Sequence, residues 1–329
     1  MLSPDPDPFS VLSEEYQSAF WPYFQVAYER MQAYAETLSP ALRDALKTFG
    51  PRGTGPLPPR NLKPHSIWVA QFFGITDEEV IARAFLASLQ MELHCCLQDR
   101  RIDGELRRGL SLAMSDALSN VLLTDSLREF ENLAGHEDFH RYVRQAFCDL
   151  GEAYAAEQSG ALANLSPEKM FKAVVDRAAP FHILVASLGL RSGRVSGIAP
   201  CSSMTCHLVM WFQILDDATD WEVDLSRGRR SYLLHRMQQF MEGQPFGEWK
   251  PTDVANALYL FGGAETLLGE CVDQLGAALA IARKHAAPPA QADTPESLVH
   301  WLERFLEIHA GARRWSIARK WEFLKSVAV

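Results

Sequence analysis

Five carboxylates fall within nine positions at residues 216–224: Asp216, Asp217, Asp220, Glu222 and Asp224. They close the run HLVMWFQIL (residues 207–215), which is apolar nearly all round and is therefore predicted to be a buried helix. Carboxylates at the inner end of a buried helix need a metal or a base to offset the loss of water. Asp216 and Asp220 stand at i and i+4 on one helix face, with Asp217 beside them and Asp224 one further turn along. A second pair repeats the spacing in LQDRRIDGELRRG, residues 97–109, where Asp99 and Asp103 are also i and i+4. Such carboxylates are about 5–6 Å apart at Cβ and repel one another unless a cation lies between them. Hard oxygen ligands with spare coordination positions suit Mg²⁺, which keeps several waters and takes substrate phosphates as further ligands.

Arginines follow each acidic pair. Arg107 and Arg108 come after the first, and Arg227, Arg229 and Arg230 after the second. The guanidinium fork matches phosphate oxygens, so the constellation reads as two metal-binding carboxylate pairs with two phosphate-binding patches. The competing reading is plain carboxylate–arginine pairing on exposed turns.

The elements that must position these groups are helices. Thr76-Asp77-Glu78-Glu79 has the form of a capping box opened by Thr76. Val80, Ile81, Phe85, Leu89, Leu93 and Leu97 continue from it at helical spacing to a stop at Gly104. Ser166-Pro167-Glu168 opens a helix predicted to run to Gly189, and Thr252-Asp253 and Thr294-Pro295-Glu296 open two more long ones. Residues 49–64, FGPRGTGPLPPRNLKP, are too rich in Gly and Pro for a helix and read as a surface loop carrying Arg52, Arg60 and Lys63. Helical periodicity from about Glu14 to Leu324 favours one all-α domain over residues 1–329, with an irregular segment at 1–12.

The 329 residues are 47% hydrophobic and 22% charged, which suits a globular chain with a sizeable core. A formal net charge of −9 argues against broad binding to nucleic acid or to an anionic membrane surface, so an anionic ligand must be held by a local cluster of bases or by metal. No run approaches the roughly 20 uninterrupted apolar residues of a membrane span, so no integral membrane segment is expected. The acidic, Pro-rich start MLSPDPDPFS lacks the pattern of a signal peptide, and a cytoplasmic location is the expectation. The six cysteines form no CxxC pair and read as buried free thiols.

At these residues the chain resembles the class I isoprenoid synthase superfamily, specifically its trans-polyprenyl diphosphate synthase branch. That family has a first motif DDxxD followed by RRG and a second, FQxxDDxxD, with a basic GK further on. DRRID then RRG (Asp99 to Gly109) and FQILDDATD then GR (Phe212 to Arg229) are similar to these in order and spacing. PRNLKP (Pro59 to Pro64) resembles the GKRLRP loop that binds the homoallylic diphosphate. Ser115-Asp116-Ala117-Leu118 resembles the GDxL helix, and Asp176-Arg177-Ala178 falls where a Lys-Thr pair is usual. The likeness spans roughly residues 45–235. It implies antiparallel helices around a deep apolar cavity with the two Asp-rich motifs facing each other at its mouth, a prenyl diphosphate substrate and a homodimer. It also implies Mg²⁺, three ions with substrate bound, on Asp99, Asp103, Asp216, Asp217 and Asp220. Arg60, Lys63, Arg107, Arg108, Arg177, Gln213, Arg229 and Arg230 would hold diphosphate. His94 and Cys95 fall where the family's chain-length side chains sit, and Phe181, Trp211 or Phe212 could face a carbocation; ordinary core packing is the alternative for each.

Two departures bear on the reaction. Arg100 replaces the second Asp of the first motif, leaving the D-x-x-x-D pair. Seven residues before Asp99, where the family usually has His or Gln beside the homoallylic diphosphate, an ungapped reading puts Glu92, which would repel a phosphate. The expected activity is therefore a terpene synthase that cyclises or quenches the cation of one prenyl diphosphate. The alternatives are a prenyltransferase extending that substrate with isopentenyl diphosphate, and a catalytically silent partner subunit suggested by Arg100 and Arg101.

Overall fold

A computed structural model describes residues 8–47, 64–102, 104, 110–158, 166–241, 243–292, 294 and 297–327. Among them are thirteen α-helices, a few 3₁₀ turns and no strand. The helices are α1 (Pro8–Thr37), α2 (Pro40–Lys47), α3 (His65–Phe72), α4 (Glu78–Ile102), α5 (Leu112–Ala134), α6 (Phe139–Gln158), α7 (Pro167–Arg177), α8 (Phe181–Arg191), α9 (Ile198–Ser226), α10 (Tyr232–Met237), α11 (Pro251–Tyr259), α12 (Gly263–His285) and α13 (Leu298–Val327). The all-α expectation holds.

The chain divides into two compact units, each assembled from separate stretches. The first comprises Met1–Tyr142, Ile183–Ile198 and Ala286–Leu298; the second comprises Val143–His182, Ala199–His285 and Val299–Val329.

In the first unit an aromatic cluster joins α1, α3 and α4: Phe20 meets Trp68 edge-on at 6.2 Å, and Phe24 meets Phe85 at 5.8 Å. Helices α4 and α5 pack along each other because α5 buries small Ser115, Ser119 and Ser126 on one face. Each hydroxyl needs a hydrogen-bond partner once buried. Ser126 Oγ donates to the Ala87 carbonyl at 2.7 Å, and Gln98 Nε2 donates to Ser119 Oγ at 2.8 Å. In the second unit, α12 is clamped to α10 by Tyr232 Oη and Arg236 Nε, which donate to Glu270 at 2.9 and 2.7 Å. It is clamped to α13 by Ser316 Oγ and Lys320 Nζ, which donate to Glu265 at 2.6 and 2.7 Å.

Several boundaries differ from expectation. The cap of α4 is Asp77, whose Oδ1 accepts from the N–H groups of Glu79 (2.9 Å) and Val80 (3.3 Å), while Glu79 pairs with Arg30. A carboxylate caps better than a threonine here because its charge also favours the helix N-terminus. Gly104 does end the α4 turn with φ +70°. The helix capped by Ser166 stops at Arg177, because Pro180 lacks an N–H and disfavours a helical Ala179; the chain restarts as α8. Helix α1 begins at Pro8, so residues 8–12 are helical, with proline at a first-turn position where its missing N–H costs nothing. Helix α11 is short, ending at Tyr259.

Among the described residues two helices are long and apolar enough to cross a membrane by length and composition alone. Glu78–Ile102 and Val195–Ser226 each carry an 18-residue window of mean hydropathy 1.3, of which 61% and 44% is buried within the chain. Their few charges escape a search for uninterrupted apolar runs. The cysteines are only partly as expected: Cys201 and Cys271 are buried, but Cys96 and Cys148 are exposed, and all six are free.

Candidate metal centre on α9

Helix α9 is seated in the second unit by Trp211. Its indole N–H donates to Nε2 of His309 on α13 at 3.2 Å, and His309 Nδ1 donates to the Phe305 carbonyl at 2.8 Å. With one ring nitrogen accepting and the other donating, His309 is held neutral in a single tautomer, and burial lowers its pKa further. The Trp211 ring also lies 4.5 Å from Phe212 and 4.8 Å from Phe305, centroid to centroid. Phe212 is half-buried in this cluster.

One turn beyond Gln213 the first carboxylate is fixed on both oxygens. Gln213 Nε2 donates to Asp217 Oδ1 at 2.6 Å, and the Leu233 N–H donates to Asp217 Oδ2 at 2.8 Å. Leu233 lies in the first turn of α10, where backbone N–H groups have no partner within the helix. Ser231 caps the same turn through the Leu234 N–H. Asp217 therefore ties α9 to the start of α10, and it is only 2% exposed.

Asp217, Asp220 and Asp224 form one group, with an oxygen from each within 4.8 Å of the others. They occupy i, i+3 and i+7, one stripe of the helix. Burial pushes the Asp217 carboxyl up to about 6 against the pull of its two hydrogen bonds, and the charges of Asp224 and Asp220 add to the rise. Burial also raises Asp220, helped by Asp216, and raises Asp224, helped by Asp220; Arg229 and Arg227 act in the opposite direction on both. Three carboxylates thus share a small space in which their combined charge is unfavourable. The two oxygens of an ionised carboxylate have about four lone-pair sites, so even Asp217 keeps acceptor capacity beyond its two bonds. The donor set is all hard oxygen and fits Mg²⁺.

Asp216 is exposed and stands outside this group, its carbonyl accepting from Thr219 Oγ1 at 2.7 Å. Asp224, absent from the expected ligand set, joins Asp217 and Asp220 in the group. Its signal is present in the sequence as a third acid on the Asp217–Asp220 stripe. The α9–α10 turn carries the basic residues. Arg230 is directed to local partners, with Nη2 donating to Gln238 at 2.7 Å and the guanidinium lying 5.2 Å from the Phe246 ring centroid. Arg227 and Arg229 are the ones that act electrostatically on Asp220 and Asp224.

The other expected site residues are placed as follows. Asp99 is half-buried in the last turns of α4, in the first unit. One turn earlier, His94 is buried with Nδ1 2.7 Å from Ser119 Oγ and 3.1 Å from the Ser119 carbonyl, a structural bond to α5. Burial, then Asp99, raises the neighbouring Cys95 thiol, so it is held protonated. Arg177 is exposed at the end of α7, beside the Lys172–Asp176 ion pair, and Phe181 is half-buried. Asp116 of the GDxL-like segment pairs with Arg101 at 3.1 Å. Asp103, Arg107, Arg108, Arg60 and Lys63 lie outside the described residues.

The solved structures to which the chain is similar include two that it matches over 99% of their length. One is a geranylgeranyl pyrophosphate synthetase from the archaeon Geoglobus acetivorans, with a TM-score of 0.68 at 13% identity over 88% of this chain and 99% of that one. The other is a decaprenyl diphosphate synthase from Rhodobacter capsulatus, with a TM-score of 0.62 at 13% identity over 95% of this chain and 99% of that one. The chain thus has the trans-polyprenyl diphosphate synthase-like isoprenoid synthase fold. No protein-family model matches the sequence, and no curated protein is found similar to it.

Proposed function

We propose that this chain is a Mg²⁺-dependent enzyme that ionises an allylic prenyl diphosphate, and that it extends the resulting cation with isopentenyl diphosphate. The observation that carries the proposal is the carboxylate stripe Asp217, Asp220 and Asp224, set on FQILDDATD in a fold shared with two prenyl diphosphate synthases. Bound to these carboxylates, Mg²⁺ would neutralise charge as it develops on the leaving diphosphate.

The chain's own residues have separate tasks. Asp217, fixed by Gln213 and Leu233, gives the stripe a rigid base. Arg229 and Arg227 place positive charge beside the carboxylates, where diphosphate oxygens would approach. In the reaction the allylic C–O bond breaks, a C–C bond forms to the alkene of isopentenyl diphosphate, and a proton is lost to restore the double bond. An apolar cavity must exclude water while the cation exists.

A second reading is favoured by Glu92. A carboxylate seven residues before Asp99 opposes a second diphosphate, which suits a terpene synthase that uses one substrate and cyclises or quenches the cation. Incubation of the purified protein with Mg²⁺ and geranyl, farnesyl or geranylgeranyl diphosphate, with and without isopentenyl diphosphate, separates the two. A longer diphosphate formed only with isopentenyl diphosphate supports extension, and a hydrocarbon or alcohol formed without it supports the second reading. No product from any combination rejects both and leaves the silent subunit. A homodimeric state and a cytoplasmic location accompany the proposal.

A further inference from the structure

Among the described residues the four most exposed large apolar side chains are Trp315 (63%), Tyr259 (62%), Leu260 (61%) and Phe261 (61%). Three are consecutive, at the tip between α11 and α12, and the fourth is on α13, all in the second unit. They belong to one end of that unit because Glu265, in the first turn of α12 just after the tip, accepts from both Ser316 and Lys320 of α13.

The tip is a built turn. The N–H groups of Leu260 and Phe261 both donate to the Asn256 carbonyl, at 2.8 and 3.0 Å, and Gly262 reverses the chain at φ +99°, a conformation suited to glycine. Thr266 closes the next turn on the Gly262 carbonyl through both its N–H and its hydroxyl, each at 3.0 Å. Three large apolar side chains are thereby held outward on backbone whose Leu260 and Phe261 N–H groups are already bonded, which lowers the cost of entering an apolar medium.

The neighbouring stretch of α13 is rich in basic residues, of which Lys320 is paired with Glu265. Residues 308–321 of α13, IHAGARRWSIARKW, hold Arg313, Arg314, Arg319 and Lys320 and no carboxylate, in a chain of net charge −9. Arg313, Arg314, Trp315 and Ile317 are exposed, whereas Ser316 and Lys320 turn inward to Glu265. Exposed Arg, Trp and Ile side chains on α13, at the same end of the unit as the apolar tip, have the composition of a surface that lies in the headgroup region of a bilayer.

We propose that the α11–α12 tip and the exposed residues of α13 form a docking surface for an anionic lipid bilayer, the tip entering the acyl boundary and Arg313 and Arg314 meeting the headgroups. The exposed Arg313 and Arg314 supply locally the positive charge that the chain lacks overall. The inference stands apart from the proposed reaction.

Co-sedimentation of the full chain with vesicles of phosphatidylglycerol and phosphatidylcholine, against vesicles of phosphatidylcholine alone, is the test. We expect binding to the anionic vesicles that weakens as salt rises. Arg313→Gln with Arg314→Gln should weaken it roughly thirtyfold, at about one headgroup contact per arginine. Leu260→Ser with Phe261→Ser should abolish it while the thermal melt stays unchanged, since these side chains are exposed. Binding unaffected by both double variants, or none by the parent chain, overturns the proposal. So does light scattering that shows a dimer which Leu260→Ser with Phe261→Ser dissociates, because the face would then be covered by a second copy. Displacement from vesicles by duplex DNA, with the serine variant retaining DNA binding, would reassign the arginines to nucleic acid.

Discussion

Asp217 is held by two hydrogen bonds that favour its charged form, yet burial and two neighbouring acids still raise its pKa from 3.8 to about 6. An acid whose pKa is raised on folding binds its proton more tightly in the folded chain, so stability is greatest below the ordinary value and declines as pH climbs toward 6. We expect the metal-free protein to lose on the order of 3 kcal/mol between about pH 4 and pH 7 from this group. A cation bound to the stripe prefers the deprotonated acid, so Mg²⁺ should raise the melting temperature at pH 8 and have little effect at pH 5. Calorimetry at the two pH values, with and without Mg²⁺, checks both signs, and Asp217→Asn should flatten the pH dependence. A different residue tests the seat of α9. His309→Leu leaves the buried Trp211 N–H without an acceptor and should cost about 1–3 kcal/mol in urea unfolding, with part recovered by His309→Gln. The acidic cluster is legible in the sequence from helical spacing, but that spacing fits both Asp216–Asp220 and the group Asp217, Asp220 and Asp224 that the structure brings together. The Asp217–Leu233 bond is not legible, since it depends on how the chain turns between α9 and α10. Nor is Trp211–His309, which joins positions 98 residues apart.

At the scale of elements, sequence signals locate most helices, and the errors lie at their ends. Asp77 replaces Thr76 as cap because neighbouring candidates compete and the carboxylate wins. Pro180 is visible in the sequence, but apolar periodicity continues through it and conceals the break. The path of α12 depends on close approach at its start. A Cβ on Gly263 would lie 2.8 Å from the Ala257 carbonyl oxygen and 2.6 Å from Met237 Sδ. The sulfur can move, but the backbone oxygen cannot without disturbing α11. Gly263→Ala should therefore destabilise by about 1–3 kcal/mol. At Gly276, further along the same helix, an added methyl would meet nothing within 4 Å, so Gly276→Ala should stabilise by up to about 1 kcal/mol. Chemical denaturation of the pair distinguishes a steric limit at the α11–α12 junction from a general effect of alanine.

At the scale of the whole molecule, the all-α class is legible because helical periodicity runs through almost the entire chain. The division into two compact units is not, because each unit gathers segments far apart in sequence, a consequence of long-range packing. The two solved structures named above are prenyl diphosphate synthases, whereas a carboxylate at Glu92 argues against a second diphosphate. The measurement that bears most directly on the proposed reaction is product formation by the purified chain with Mg²⁺, farnesyl diphosphate and labelled isopentenyl diphosphate. The parent and Asp220→Ala should be compared, since Asp220 belongs to both the expected and the observed carboxylate sets. We expect a longer, labelled prenyl diphosphate from the parent and at least about a hundredfold less from the variant, a loss of roughly 2.7 kcal/mol in transition-state stabilisation. Equal turnover by the two proteins, or no turnover of any allylic diphosphate by the parent, would contradict it.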